Sequence, residues 1–217
     1  MFVGYLARQA LAASVAEHPC VLDLCAAPGG KSTHLSSLLG TEGTLVANEV
    51  IRGRVCVLAD NIRKWGLANA IVTSSDPSAF GAMGGIFDIM VVDAPCSGEG
   101  MFRKEPAALE QWSPDNVRIC VERGRRIIAD AWDALAEGGI LIYSTCTYNR
   151  HENEETVEWI AENFDTEAID VPLPEHSGIT VTEASAGGVV HRCYRFMPQR
   201  TAGEGLFAVM LRKAGGG

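Results

Sequence analysis

Two cysteines stand where apolar strands of this chain run out. Phe87 to Val92 is a short apolar run with β-branched members that leads into Asp93-Ala94-Pro95-Cys96-Ser97-Gly98-Glu99-Gly100, and Gly139-Ile140-Leu141-Ile142-Tyr143-Ser144-Thr145 leads into Cys146. Both runs read as strands buried on both faces. Pro95, with no N–H to give, stops the first ladder. A thiol just past a strand end can act as nucleophile or base, whereas Cys20, Cys56, Cys120 and Cys193 fit the role of small core residues.

The elements that must position these thiols alternate. Apolar spacing predicts a helix over 3–16, ended by Pro19, then a strand at Cys20-Val21-Leu22-Asp23-Leu24. A helix over 31–39 closed by Gly40, a strand over 44–49, a helix over 52–65 closed by Gly66 and a strand over 70–73 follow. After the Phe87 strand, Ser113-Pro114 offers an N-cap and a first-turn proline for a helix reaching Ala136. An acidic amphipathic helix is expected over 151–164. Pro172, Pro174 and Ser185-Ala186-Gly187-Gly188 read as loops, and apolar runs at 193–197 and 206–211 as an antiparallel pair at the sheet edge. The expected fold class is α/β: a doubly wound, mostly parallel, seven-stranded sheet with an antiparallel edge strand. One domain is expected over 1–217: a leading helix (1–19), a ligand-binding and catalytic core (20–150), and an acidic helix, loops and closing strands (151–217).

In such folds ligands bind at the carboxyl ends of strands, so the first turn is a candidate site. The nicotinamide fingerprint G-x-G-x-x-G is absent. A phosphate-cradling G-x-x-x-x-G-K-[ST] loop fails because Cys25 replaces its first glycine, although Gly30-Lys31-Ser32 fits. Asp23 would also repel a triphosphate. The turn suits a nucleoside with a cationic or zwitterionic tail: Asp23 or Asp93 near an ammonium, close backbone approach at Gly29 and Gly30, Glu49 on the ribose hydroxyls and Asp76 on an adenine amino group. Each acid alone is more often a cap or a surface residue; four at four successive strand ends point to a ligand. S-adenosylmethionine meets these requirements.

Composition bounds the partners. The chain of 217 residues is 47% hydrophobic and 21% charged, that of an ordinary globular protein. It has no apolar run near the ~20 residues of a membrane span and no secretory leader pattern, so a cytoplasmic protein is expected. Seven cysteines without a C-x-x-C pair suggest reduced thiols and no metal site. A net charge of -9 opposes nucleic-acid binding at first sight, yet ten acids and no Lys or Arg fall between His151 and His191. Six basic residues instead follow the Cys96 loop (Arg103, Lys104, Arg118, Arg123, Arg125, Arg126), as a solvated helix face or a phosphate contact.

Three blocks, Asp23-Leu24-Cys25-Ala26-Ala27-Pro28-Gly29-Gly30-Lys31, Asp93 to Gly100, and Ser144-Thr145-Cys146-Thr147-Tyr148-Asn149 with Glu152-Asn153-Glu154, resemble the signatures of the Nol/Nop/Sun RNA cytosine-5-methyltransferases. Met101-Phe102-Arg103-Lys104 and Gly203-Glu204-Gly205-Leu206-Phe207 are most similar to the ribosomal small subunit methyltransferase F branch. The resemblance covers nearly the whole chain. It implies a Rossmann-like core, S-adenosylmethionine as donor and a cytosine in RNA, 16S ribosomal RNA, as acceptor. By position, Cys25, Ala26, Ala27, Pro28, Gly29, Gly30, Lys31, Glu49, Asp76 and Asp93 correspond to cofactor contacts and Cys146 to the nucleophile. Carbon 5 of cytosine needs prior addition at carbon 6. Cys146 would add, Asp93 would share a proton with ring nitrogen 3, and Cys96 would remove the carbon 5 proton. Phe102, Trp112 and Tyr148 are candidates to stack on an unstacked base. Such enzymes resemble longer proteins with an RNA-binding segment before the core, so an isolated, monomeric catalytic domain that binds RNA weakly is expected. The competing reading is a catalytically silent RNA-binding or assembly factor on the same fold.

Overall fold

The computed structural model describes residues 1–175 and 177–215. The chain divides into two compact units: Met1–Asp93 with Ile127–Ile142 and Lys213–Gly217, and Ala94–Arg126 with Tyr143–Arg212.

The first unit carries α1 (Phe2–Ala13), β1 (Cys20–Asp23), α2 (Gly30–Leu39), β2 (Thr44–Asn48), α3 (Arg52–Trp65), β3 (Ala70–Thr73), α4 (Pro77–Gly81) and β4 (Phe87–Asp93). β1 pairs in parallel with both β2 and β4, and β2 with β3. The order β3-β2-β1-β4 therefore reverses direction between β1 and β4. In an open α/β sheet that reversal leaves a crevice at the strands' carboxyl ends. Asp23 and Asp93 are the last residues of the two strands that flank it. The core is formed by apolar residues such as Leu6, Leu22, Leu45, Leu58, Ile89 and Met90, all nearly without exposure. α3 ends as its sequence requires: Gly66 adopts φ +81° and returns its N–H to Ile62 O, while Arg63 and Lys64 face the negative end of the helix dipole.

α6 (Pro114–Ala131) and β5 (Leu135–Thr145) contribute residues to both units. Ser113 caps α6 as expected, its Oγ accepting from Asn116 N at 3.1 Å. The helix stops at Ala131, not Ala136. One 3-10 turn follows, and Leu135 already has extended backbone, so strand formation overrides the helix-compatible Leu135-Ala136-Glu137.

The second unit holds α5 (Pro106–Gln111), α7 (Glu154–Asn163), β6 (Thr166–Ala168), β7 (Thr180–Ala186), β8 (Val189–Phe196) and β9 (Leu206–Lys213), the last extending by Lys213 into the first unit. The antiparallel pairing expected of the closing runs is that of β8 with β9. β8 also pairs with β7, so the stretch read as a loop around Ser185 is a hairpin. Its two-residue turn is Gly187-Gly188, with φ +59° and +82°, the left-handed pair that such tight turns need. The mostly parallel α/β class stands, with nine strands among the described residues where seven were expected.

Candidate functional site

In the first unit the turn after β1 is shaped by α3. The carbonyl of Ala27 accepts from Arg54 Nη2 at 2.6 Å and that of Pro28 from Asn61 Nδ2 at 2.7 Å. Gly29 has φ +112°, and a Cβ there would approach Leu58 Cδ1 to 3.1 Å, so only glycine fits. A cavity of about 210 Å³ is bounded by the 25–28 turn, Gly30, Lys31 and Asp93. Lys31 Nζ donates to Asp93 Oδ2 at 2.7 Å, joining the start of α2 to the end of β4.

Asp23 is fully buried. Ser32 Oγ donates to its Oδ2 at 2.6 Å, while Oδ1 has no hydrogen-bond partner among the described residues. Burial pushes its carboxyl up to about 7; the Ser32 bond opposes this, as does Lys31, while the nearby Asp93 and Glu49 add to it. A buried, unsatisfied acceptor of this kind attracts a cation. Glu49, 3% exposed, accepts from Ile51 N at 2.9 Å and lies 3.2 Å from Arg54 Nη1. Its carboxylate has about four acceptor sites, enough to take a diol as well. Burial, reinforced by the acids around it, pushes the Cys25 thiol up and keeps it neutral.

Asp76 caps α4, accepting from Ser78 N at 3.1 Å and Ser78 Oγ at 2.7 Å. Asn48 was not singled out by sequence. Its side chain bonds Leu24 O, Ser75 O and N, and Thr73 Oγ1, tying together the ends of β1, β2 and β3. All expected cofactor-side residues, Cys25 to Lys31, Glu49, Asp76 and Asp93, belong to this unit.

The second unit brings the two thiols together. Cys96 Sγ and Cys146 Sγ are 3.1 Å apart, and Cys146 N donates to Cys96 Sγ at 3.4 Å. The hydrogen bond with Cys146 and then burial push the Cys96 thiol well above its ordinary value. Behind the pair runs a polar frame. Glu152, 2% exposed, accepts from Ser97 N at 2.7 Å, Ser97 Oγ at 2.5 Å and Asn149 Nδ2 at 2.6 Å. Glu99 Oε2 accepts from Tyr148 N at 2.7 Å and Asn149 N at 2.8 Å; its Oε1 accepts from Trp112 Nε1 at 3.0 Å. Burial alone would raise Glu99, but bonds from Thr147, Tyr148, Asn149 and Trp112 outweigh it and hold its carboxyl below the usual range. Asn153 accepts from Thr145 Oγ1 at 2.6 Å and donates to Thr147 O at 3.1 Å. A buried Arg195–Glu154 pair closes the frame, with Arg195 Nη1 donating to Tyr148 O at 2.6 Å.

The frame holds the loop after β5 against the loop after β4, and Gly100 shows how tightly. A Cβ there would meet Cys146 O at 2.6 Å and Glu204 O at 2.8 Å. Of the expected aromatic platforms, Trp112 is fixed by Glu99, and the Tyr148 hydroxyl donates to Glu204 O. Glu99, Glu152 and Arg195 were not assigned roles from sequence. The only local signal was the polar run from Asn149 to Glu154 following a buried strand.

The chain is 40% identical over 200 residues to ribosomal RNA small subunit methyltransferase F of Pectobacterium atrosepticum, covering 90% of this chain and 40% of that one. It is 40% identical over 194 residues to the protein of the same name from Shigella dysenteriae, covering 89% and 40%. The chain thus spans about two fifths of the length of these curated relatives. Among solved structures, NSun6 from Pyrococcus horikoshii with SFG matches with a TM-score of 0.74 and 26% identity over 98% of this chain and 52% of that one. A methyltransferase homolog protein from the same organism matches with a TM-score of 0.75 and 27% identity over 94% and 64%. The family model described as 16S rRNA methyltransferase RsmB/F matches residues 9–212, and the chain belongs to that family.

Proposed function

We propose that the chain transfers the methyl group of S-adenosylmethionine to carbon 5 of a cytosine in RNA, the substrate being 16S ribosomal RNA, by way of a covalent Cys146 adduct resolved by Cys96. The observation that carries this reading is the pair of sulfurs 3.1 Å apart on two loops that follow strands, in a chain of a methyltransferase family. One thiol suffices for addition; a second at the same place suits a reaction that must also remove a proton.

The cofactor fits the first unit. Its ammonium would meet the unsatisfied Asp23 Oδ1, its ribose Glu49, and its adenine the Asp76 strand end, with Cys25 to Lys31 around the cavity. When bound, it supplies an electrophilic methyl group. NSun6, a structural neighbour, was solved with SFG, which supports a site of this kind.

In the reading proposed here, Cys146 as thiolate adds to carbon 6, while Asp93 and ring nitrogen 3 share a proton. The electron pair moves to carbon 5, which takes the methyl group. Cys96 then removes the carbon 5 proton, and the carbon 6–sulfur bond breaks to release Cys146. The hydrogen bond explains the order of events. While Cys146 carries the charge, Cys96 stays protonated as its donor; once Cys146 is bonded to carbon, that charge is gone, and Cys96 gives up its own proton to water and then acts as the base. Seven cysteines without a disulfide suit a reducing cytoplasm, and the monomer expected from sequence fits a scheme whose named groups all come from one chain.

Denaturing gels test the roles. With RNA and S-adenosylmethionine, Cys96→Ala is expected to accumulate as a shifted protein–RNA band, and Cys146→Ala to give none. The reverse pattern would exchange the two roles, and full turnover by both variants would end the covalent mechanism.

A further inference from the structure

Outside the thiol pair, the second unit has a groove of about 690 Å³ along one face of α6. Pro114, Val117 and Val121, at helical spacing, give it an apolar floor on α6, and Trp112, Arg118, Arg125 and Asn149 are among its other lining residues. The volume is that of a small-molecule site, within roughly 300–1,000 Å³. Nothing in the catalytic scheme above uses it. We infer that this groove takes one unpaired nucleotide of the RNA next to the target cytosine, its base lying on Trp112 and the α6 floor and its phosphate near Arg118. This rests on the proposed RNA substrate.

Three features favour a nucleotide. Trp112 is 37% exposed, yet its ring is held by the bond from Nε1 to Glu99. A fixed, half-exposed indole is a stacking platform that loses little freedom on binding. Second, the groove shares a residue with the frame that holds the thiol loops. Asn149 Nδ2, at its wall, donates to Glu99 and Glu152 and to Thr147 Oγ1 at 3.0 Å, and Thr147 directly follows Cys146. Third, the acids along the groove already have partners: Glu122 pairs with Arg118 at 2.9 Å, and Glu155 with His151 at 2.7 Å. Arg118, 63% exposed on its side chain, keeps further donors for a phosphate.

The test is fluorescence anisotropy of an eight-nucleotide RNA with one cytosine among uridines, at low salt, on the whole chain, with the flanking positions made abasic one at a time. Trp112→Ala is expected to weaken binding about 10-fold, and Val121→Glu, which leaves the Trp112–Glu99 bond in place, by a similar factor. Trp112→Phe, which keeps a ring but loses the Glu99 bond that fixes it, should fall between the parent and Trp112→Ala. At one position beside the cytosine, removing the base should weaken the parent but add nothing to Trp112→Ala. S-adenosylhomocysteine affinity should not change in any variant. Equal abasic profiles in parent and Trp112→Ala, full binding by Val121→Glu, or no binding by the parent would each overturn the inference and leave the groove to another kind of partner. Loss of the Cys96→Ala adduct with the abasic coupling intact would instead defeat the proposed chemistry and spare the groove.

Discussion

The sulfur of Cys96 lies 3.1 Å from that of Cys146, a hydrogen bond in which either thiol can donate. The largest influence raising Cys96 is this bond, ahead of burial. Cys146→Ala removes it, so Cys96 should ionise at lower pH in that variant than in the parent. The pH profile of alkylation at Cys96, followed by mass spectrometry, checks this; an unchanged profile would mean that burial alone holds the thiol up.

Glu152 is the junction of the polar frame, since three donors from Ser97 and Asn149 converge on it. Glu152→Ala strands those donors in a buried place and should destabilise the fold by about 2–4 kcal/mol. Glu152→Gln keeps the shape and one acceptor, and should lose less. Urea unfolding measures the stability. Methyl transfer should fall further than stability predicts, in kcat more than in KM, because the two thiols lose registry.

Arg195 and Glu154 form a buried ion pair, so removing one partner leaves an uncompensated charge. Arg195→Met should cost about 3–5 kcal/mol, and Arg195→Met combined with Glu154→Gln should recover part of that. A double variant no more stable than the single one would show that Arg195 acts through Tyr148 O and not through Glu154.

Asp23 predicts a pH dependence. Its carboxyl is near 3.8 unfolded and about 7 folded, so the folded state holds the extra proton and stability is lost as pH rises from about 4 to about 7. Asp23→Asn should lack this slope, gaining on the parent across that window by up to about 4 kcal/mol and running parallel outside it. The ammonium of a bound cofactor would favour ionised Asp23, so S-adenosylhomocysteine affinity should increase with pH up to about 7 and then level off. Thermal unfolding and calorimetric titration over the same pH range test both; flat affinity would remove Asp23 from the ammonium site.

Much of the fold was legible because the strands of the first unit are local apolar runs, and glycines such as Gly66 mark the helix ends. Cys96 and Cys146 were legible for the same reason: each follows a strand whose end can be read within a few residues. The hairpin of β7 and β8 was missed because Thr180 to Ala186 is mostly polar, and only Gly187-Gly188 hinted at the turn. The frame of Glu99, Glu152 and Arg195 escaped because their partners lie far along the chain, 47 residues apart for Arg195 and Tyr148. Periodicity carries no information at that range.

That long separation also sets an order in time. Synthesis runs from the amino end, so Tyr148, and Cys146 before it, are made 47 residues or more ahead of Arg195. Until β8 is made, Glu154 lacks its cation and the Cys146 loop lacks its last anchor. A nascent chain therefore carries both sulfurs before it can hold them in register, and reactivity waits for β8.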